Sequence, residues 1–163
     1  MAVDPLEFRA AMREWATGVT VLTSDYQGKR HGMTVNSFTS ISLTPPLVLV
    51  SLEIKSRTHG LVKDAGFFGV TILARHHEEV SDCFAGRHTE HKDRFENVES
   101  FTLSTGAPFI TGGLAFFDCR VVSTLDVATH TIFIAEVVSL QINSHPDDGH
   151  PLIYHRQTYK GVQ

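Results

Sequence analysis

His31-Gly32-Met33-Thr34-Val35-Asn36-Ser37-Phe38-Thr39-Ser40-Ile41-Ser42-Leu43-Thr44-Pro45-Pro46-Leu47-Val48-Leu49-Val50-Ser51-Leu52-Glu53-Ile54-Lys55-Ser56-Arg57-Thr58 is the most informative stretch of this chain. It falls into three chemically different pieces. Thr34 to Ser42 is β-prone and dense in small hydroxyl and amide side chains. Pro45-Pro46 interrupts a hydrogen-bonded ladder, because neither residue carries a backbone N–H. Leu47 to Leu52 then reads as a strand buried on both faces, and it delivers the chain to Lys55-Ser56-Arg57-Thr58. That group puts free N–H groups, hydroxyls and two cations into one turn at a helix start, a setting that suits an anion. A surface loop does not need a flanking strand so apolar, and a plain core strand does not need so many hydroxyls. A flat heteroaromatic ligand with a phosphate tail needs both.

Upstream, Asp4-Pro5-Leu6-Glu7 has the form of a helix start, with Asp4 as N-cap and Pro5 in the first turn. Phe8, Ala11, Met12 and Trp15 follow at helical spacing as one apolar stripe, and Gly18 ends it. Gly18 to Ser24 alternates as a strand, and Tyr26-Gln27-Gly28-Lys29 is a hairpin turn. Downstream, Thr58 to Lys63 is expected as a short helix and Gly66 to Leu73 as a strand. His76 to about His91 is polar and helix-prone, and Asn97 to Pro108 is expected as loop. Two long strands, Leu114 to Thr124 and Thr131 to Gln141, precede a short one at Leu152 to Tyr154. Leu114 to Val122 is apolar on both faces, which asks for cover on both sides. Six or so antiparallel strands and few helices point to a mainly β single domain over residues 1–163, closed as a barrel that removes its own edges.

Composition excludes several classes. The chain has 163 residues, 42% hydrophobic and 20% charged, enough for one domain with a real core. A net charge of −4 gives no electrostatic case for nucleic acid. No apolar run approaches the roughly 20 residues that span a bilayer, and no signal pattern opens the chain. Two cysteines, Cys83 and Cys119, form no paired motif, as expected of a cytoplasmic protein with free thiols. Ten histidines include His76-His77 and His88-x-x-His91, but no Cys pair or H-E-x-x-H pattern joins them. There is no G-x-S-x-G elbow, P-loop or G-x-G-x-x-G. The expected partners are small molecules and a second copy of the chain.

Two readings of the central residues stand side by side. Thr34, Val35, Asn36, Ser37 and Phe38 suit a ring whose polar edge needs close backbone N–H groups, but an ordinary strand with hydroxyls toward water has the same alternation. Ser51, Lys55, Ser56, Arg57 and Thr58 suit a phosphate, but Ser and Thr also cap helices routinely. In Asp93-Arg94-Phe95, Arg94 could reach a phosphate and Phe95 could cover a ring, or the segment could be a solvated helix end with one buried Phe.

The wording resembles the short-chain flavin reductases, the small partners of two-component flavin-dependent monooxygenases. The matching segments are Gly18-Val19-Thr20-Val21 with Thr23, His31 to Ser42, Pro45 to Leu52, and Ser56 with Thr58. Shorter matches follow at Phe68 to Leu73, Asp93 to Phe95, Cys119 to Val121 and Pro151 to Tyr154, so that the likeness runs from about Phe8 to Tyr159. The resemblance implies a split β-barrel that pairs as a homodimer and binds FMN or FAD together with NADH or NADPH. It implies hydride transfer to the flavin and supply of reduced flavin to a partner monooxygenase. It places the flavin ring at Thr34 to Phe38 and the ribityl phosphate near Ser56 and Thr58. His130 stands where the family has Gly-Asp-His beside the nicotinamide. Here Gly-Asp has become Ala128-Thr129, and a Gly of the following strand has become Ala135. That departure keeps a second reading open, a flavin-binding carrier or sensor without reductase turnover.

Overall fold

A computed structural model describes residues 2–88, 93–144 and 149–162. The chain begins with α1, Pro5–Met12, capped by Asp4, whose carboxylate accepts from Leu6 N at 2.7 Å and Glu7 N at 3.3 Å. The helix stops at Met12, so Trp15 lies past its end. None of its residues is buried: Phe8 is 61% and Met12 50% exposed, as is Trp15 beyond it at 69%. Arg156 anchors the far side, donating backbone N–H to Arg13 O and side-chain N–H groups to both carboxylate oxygens of Glu14.

The strands then run β1 Thr17–Gly18, β2 Thr20–Tyr26, β3 Lys29–Val35, β4 Thr39–Leu43 and β5 Pro46–Glu53. Helix α2, Arg57–Ala65, precedes β6 Phe67–Ile72, and a single 3-10 turn, Arg75–His77, leads into α3 Glu78–Phe84. After β7 Ser100–Thr102 and β8 Pro108–Ile110 come the long strands β9 Ala115–Val127 and β10 His130–Ile142, then β11 Leu152–His155 and β12 Thr158–Gly161. Seven strands form one antiparallel sheet in the order β3-β2-β6-β9-β10-β5-β4; β1-β11-β12 and β7-β8 form two small sheets.

The large sheet curls round one core. Leu22, Val35, Val48, Val50, Leu52, Val62, Phe68, Val70, Cys119, Phe133 and Ala135, from β2, β3, β5, α2, β6, β9 and β10, pack in a single cluster. Yet β3 and β4, the outermost strands, are not hydrogen-bonded to each other, so the expected closed barrel is split. Helix α2 packs against β2, β3, β5 and β6 and fills the gap.

Several expectations change in detail. β5 is buried on one face, at Val48, Val50 and Leu52, while Leu47, Leu49 and Ser51 are only half-buried. The β-prone run Thr34 to Ser42 is not one strand but breaks at Asn36–Phe38. The expected loop Asn97 to Pro108 contains β7, and the second strand of the C-terminal hairpin, β12, is an addition. The stretch Leu114 to Val122 is covered on both faces in part: Phe116 packs edge-on against Phe101 and Phe109, and Cys119 with Phe117 and Val121 packs into the main core, whereas Val122 and, beyond it, Leu125 and Val127 lie exposed. They join Ile41, Leu43, Val138, Leu140 and Ile142 of β4 and β10 as exposed apolar residues.

β9 and β10 turn through Ala128-Thr129, with Val127 opposite His130. Two-residue hairpin loops need positive φ, which is why Gly and Asn favour them. Ala128 has φ 52 and bears that strain with a Cβ. Ala128→Gly should therefore stabilise the fold by up to about 1 kcal/mol, read as a rise of roughly 2–4 °C in Tm by calorimetry. An unchanged or lower Tm would show that the turn is not strained.

Candidate functional site

The split in the sheet is bridged by side chains. Ser37 Oγ donates to Ser51 O at 3.0 Å and accepts from Ser51 N at 3.1 Å, so one hydroxyl ties the segment after β3 to the end of β5. Further along β3, His31 Nδ1 lies 2.8 Å from Thr58 Oγ1, in the first turn of α2. Asn36, the exposed residue beside the Ser37 bridge, stands about 17 Å from His31 along an extended chain, at roughly 3.3 Å per residue.

Within Thr34 to Phe38 the roles divide. Thr34 Oγ1 donates to Ser81 O at 2.6 Å and holds α3 against β3. Val35 is a core residue. Phe38 packs on the core with its ring 5.2 Å from that of Phe117. The hydroxyls therefore do not simply face water; they join elements. Open groups remain in the loop. Among the described residues, no hydrogen bond is made by the Asn36 amide or by the backbone N–H of Asn36, Ser37 or Phe38. Three surface cavities meet at Asn36: one toward α3 and the C-terminal hairpin, one toward Trp15 and Thr39, one toward Met12 and Gln157.

The second group sits at the start of α2. Ser56 is the N-cap, accepting from His59 N at 3.2 Å, and the first turn has no acidic residue. Lys55 and Arg57 are exposed, Ser51 and Ser56 half-buried and Thr58 buried. A helix start with free N–H groups and two exposed cations favours an anion. The neighbouring His31 supplies no charge. Burial, then Arg94 and Arg57 nearby, push its pKa down to about 4, and Asp93 only partly offsets them.

Arg94 and Phe95 face inward. One guanidinium nitrogen of Arg94 donates to Gly32 O at 2.8 Å and to Phe84 O at 2.7 Å, clamping β3 to the end of α3. Burial leads the causes that lower its pKa, with Arg57 adding to it. Phe95 is 3% exposed, with Phe84 edge-on at 5.1 Å and the Arg30 guanidinium over its ring at 4.5 Å. Both residues shape the wall behind β3. Gly32 is part of that wall: a Cβ there would lie 2.8 Å from the Phe84 ring.

His130 is exposed at the tip of the β9–β10 hairpin, its Nδ1 2.9 Å from Thr129 Oγ1. Thr129 thus supplies a neutral hydrogen-bond partner at the position of the family's Asp. His130 is level with Glu53 and Ser51 with Ile132, so His130 lies two residues past the Ser37–Ser51 bridge, at the α2 end. Ile54 N donates to Thr129 O at 3.0 Å and joins this hairpin to the anion turn.

Two constellations had no signal in the sequence, because their members are far apart in it. Asp126 accepts from Thr131 Oγ1 at 2.6 Å, and Thr131 Oγ1 lies 2.8 Å from His59 Nε2. Since the Thr131 proton goes to Asp126, His59 donates from Nε2. Burial, followed by the charge of Lys63, lowers its pKa. This chain of bonds fastens the first turn of α2 to the hairpin that carries His130. The other is Tyr154, Tyr159, Arg87 and Asp82 beside Asn36. No group of three metal-ligating side chains occurs among the described residues, and His91 lies outside them.

The donor set suits a flavin mononucleotide unit: open N–H groups for the acceptor edge of a ring, and a cationic helix start for a phosphate. Comparison with known proteins points the same way. Residues 12–163 match a family model described as flavin reductase like domain. The chain is 36% identical over 164 residues to an NADH-dependent flavin reductase of a Rhodococcus species, covering 99% of this chain and 88% of that one. It is 37% identical over 154 residues to the reductase component of a 4-nitrophenol 4-monooxygenase/4-nitrocatechol 2-monooxygenase of Rhodococcus opacus, covering 94% and 79%. The styrene monooxygenase flavin reductase of Pseudomonas putida S12 superposes with a TM-score of 0.84 at 38% identity, covering 96% and 97%.

Burial of His31, and of His77 with its pKa also pushed down to about 4 by burial and by His76, links stability to pH. An unfolded histidine protonates near 6.5. Between about pH 6.5 and 4 the unfolded chain therefore binds protons that the folded chain refuses. Their contribution is complete above the window and is lost as pH falls through it. His31→Asn should lose less Tm than the parent between pH 7 and 4.5; an equal loss would mean that His31 titrates normally in the fold.

Proposed function

The chain belongs to the flavin reductase-like family, and from that premise we propose that it oxidises NADH or NADPH and reduces FMN or FAD at the cleft between β3 and β5. The reading rests on one observation. The Ser37 hydroxyl holds the segment with the open N–H groups of residues 36–38 against the end of β5, and β5 leads on to the cationic start of α2, which supports a ring at the first and a phosphate at the second. Bound there, the flavin would supply the redox chemistry, accepting hydride at N5 from C4 of the reduced nicotinamide.

The protein's own part is to bind and orient. Asn36, Ser37 and Phe38 offer backbone N–H groups to the ring edge, with the Asn36 amide beside them. Thr34 and Val35 hold that loop in place. Ser51, Lys55, Ser56, Arg57 and Thr58 make the phosphate seat, with N–H groups and two cations to meet the charge. Arg94 and Phe95 carry the wall behind it. His130, held by Thr129, orients the nicotinamide by a hydrogen bond to its carboxamide or by packing on its ring. Two rings held in contact need no strong general base, because proximity and alignment supply the main rate effect. The reduced flavin then passes to a partner monooxygenase, in keeping with the oxygenase-linked relatives.

We further propose a homodimer. Ile41, Leu43, Val138, Leu140 and Ile142 expose a run of apolar side chains on β4 and β10, and Leu43 is 90% exposed. Covering such a surface is worth about 25 cal/mol per Å². Sedimentation at assay concentration should give two chains; a monomer that is fully active would contradict it.

Turnover separates this reading from that of a carrier or sensor. NADH or NADPH oxidation should depend on added FMN or FAD. Tight flavin binding with no oxidation of either nucleotide would favour the carrier. In the same assay Arg57→Ala should raise the flavin KM roughly tenfold, the low end for a charge-assisted contact at an exposed site, and leave kcat nearly unchanged. A lower kcat at unchanged KM would remove Arg57 from the phosphate seat.

A further inference from the structure

The hairpin that carries His130 reaches past the core that supports the rest of β9 and β10. Every residue from 122 to 130 is exposed, and Thr131, at 3%, is the first buried one. β6 pairs with β9 from Ala115 to Arg120, so the tip of the hairpin has only β5 beside it, with His130 opposite Glu53. On the side of α2 the tip is not packed but hollow. A cavity of about 180 Å³ lies between His59 and Lys63 of the helix and Thr124, Asp126 and Thr131 of the two strands. Apolar contact therefore does little to fix where this tip stands.

What spans the hollow is polar. Thr131 and Asp126 face each other across the two strands, and Thr131 Oγ1 donates to Asp126 Oδ1 at 2.6 Å. The same oxygen accepts from His59 Nε2 at 2.8 Å. His59 is itself well seated: its backbone N–H is held by the Ser56 cap, and its ring stands edge-on to Phe133 at 5.3 Å. The buried residues of β10 run Thr131, Phe133, Ala135, so a hydroxyl occupies the end of an otherwise apolar row. Valine has nearly the same shape and would serve packing as well. A hydroxyl differs in having direction: its two bonds fix the distance between both strands and the helix.

We propose that Thr131, acting through Asp126 and His59, is a positioning residue for hydride transfer: it sets the place of the hairpin tip, and so of His130, relative to α2. The proposal rests on the flavin reductase reading and on the role given there to His130. His130 is the next residue in the chain and is bonded to Thr129 within the tip, so it moves with the tip. Reacting atoms misplaced by about 1 Å can lose roughly 100-fold in rate. Loss of the Thr131 hydroxyl therefore acts on the nicotinamide. It spares the flavin, whose proposed contacts lie on residues 36–38 and on the start of α2, and α2 is held independently by its Ser56 cap and its packing on β2, β3, β5 and β6.

The test is steady-state kinetics of the full chain with flavin and reduced nicotinamide each varied. Thr131→Val removes both bonds at nearly constant shape, and Thr131→Ser keeps them. In Thr131→Val, kcat/KM for the reduced nicotinamide should fall about tenfold while the flavin KM stays within about twofold of the parent, and Thr131→Ser should restore the parental values. In a His130→Ala background Thr131→Val should bring no further loss, because nothing is left to position. Asp126 is exposed, so Asp126→Ala keeps the fold if Thr131→Val does not, and it should lower the same kcat/KM. Parental nicotinamide kinetics in whichever of these two variants folds would overturn the proposal. So would a loss that Thr131→Ser shares, a loss that adds in full to that of His130→Ala, or an equal rise in the flavin KM. Turnover unchanged by His130→Ala would overturn the positioning role and leave the reductase reading standing. A parent protein that oxidises no reduced nicotinamide with either flavin would overturn the reductase reading itself.

Discussion

The two serine-to-serine hydrogen bonds between Ser37 and Ser51 are the contact on which the arrangement depends. A seven-stranded antiparallel sheet that curls round one core must either close or leave an edge. Here it stays split, and α2 fills the opening. Polar backbone groups at such a split need partners or water. The Ser37 hydroxyl satisfies the N–H and C=O of Ser51 at once, and His31 meets Thr58 at the other end of β3. Ser37 thereby prolongs the β4–β5 pairing that starts with Thr39 opposite Leu49, and His31 ties β3 to the start of α2.

That geometry explains the unusual composition of the central stretch. Its hydroxyls are chiefly structural: Thr34 reaches α3, Ser37 reaches β5, and Ser56 caps α2. By taking up these positions they leave the loop N–H groups of residues 36–38 and the first turn of α2 open. The proposed ligand contacts therefore fall to backbone N–H groups and exposed cations rather than to these hydroxyls. The bonds from Asp126 through Thr131 to His59 do the same for the hairpin, keeping His130 in register with the helix start.

Much of this was legible in the sequence, for physical reasons that differ by element. Asp4 with Pro5, and Ser56 before Arg57-Thr58, are local caps whose partners lie within a turn, so both helix starts could be read. β5 was legible because its alternate side chains enter a core. The break at Asn36–Phe38 was not, since a strand and a loop held by serines have the same residue types. Nor was the pairing of His31 with Thr58, or of Tyr159 with Asp82, because contacts across 27 and 77 positions leave no local pattern. Arg94 could be read as cationic but not as a clamp on two carbonyl oxygens. The likeness to known flavin reductases brought in what spacing alone left open, the identity of the ligand.

The proposed contact between the open N–H groups after β3 and the flavin ring can be read residue by residue. Amide proton and nitrogen resonances of Asn36, Ser37 and Phe38, followed by NMR during titration with FMN, test it most directly. These three amides should shift the most, together with those of Arg57 and Thr58 at the start of α2. Saturable FMN binding that leaves residues 36–38 unmoved, with the shifts clustered elsewhere, would contradict it.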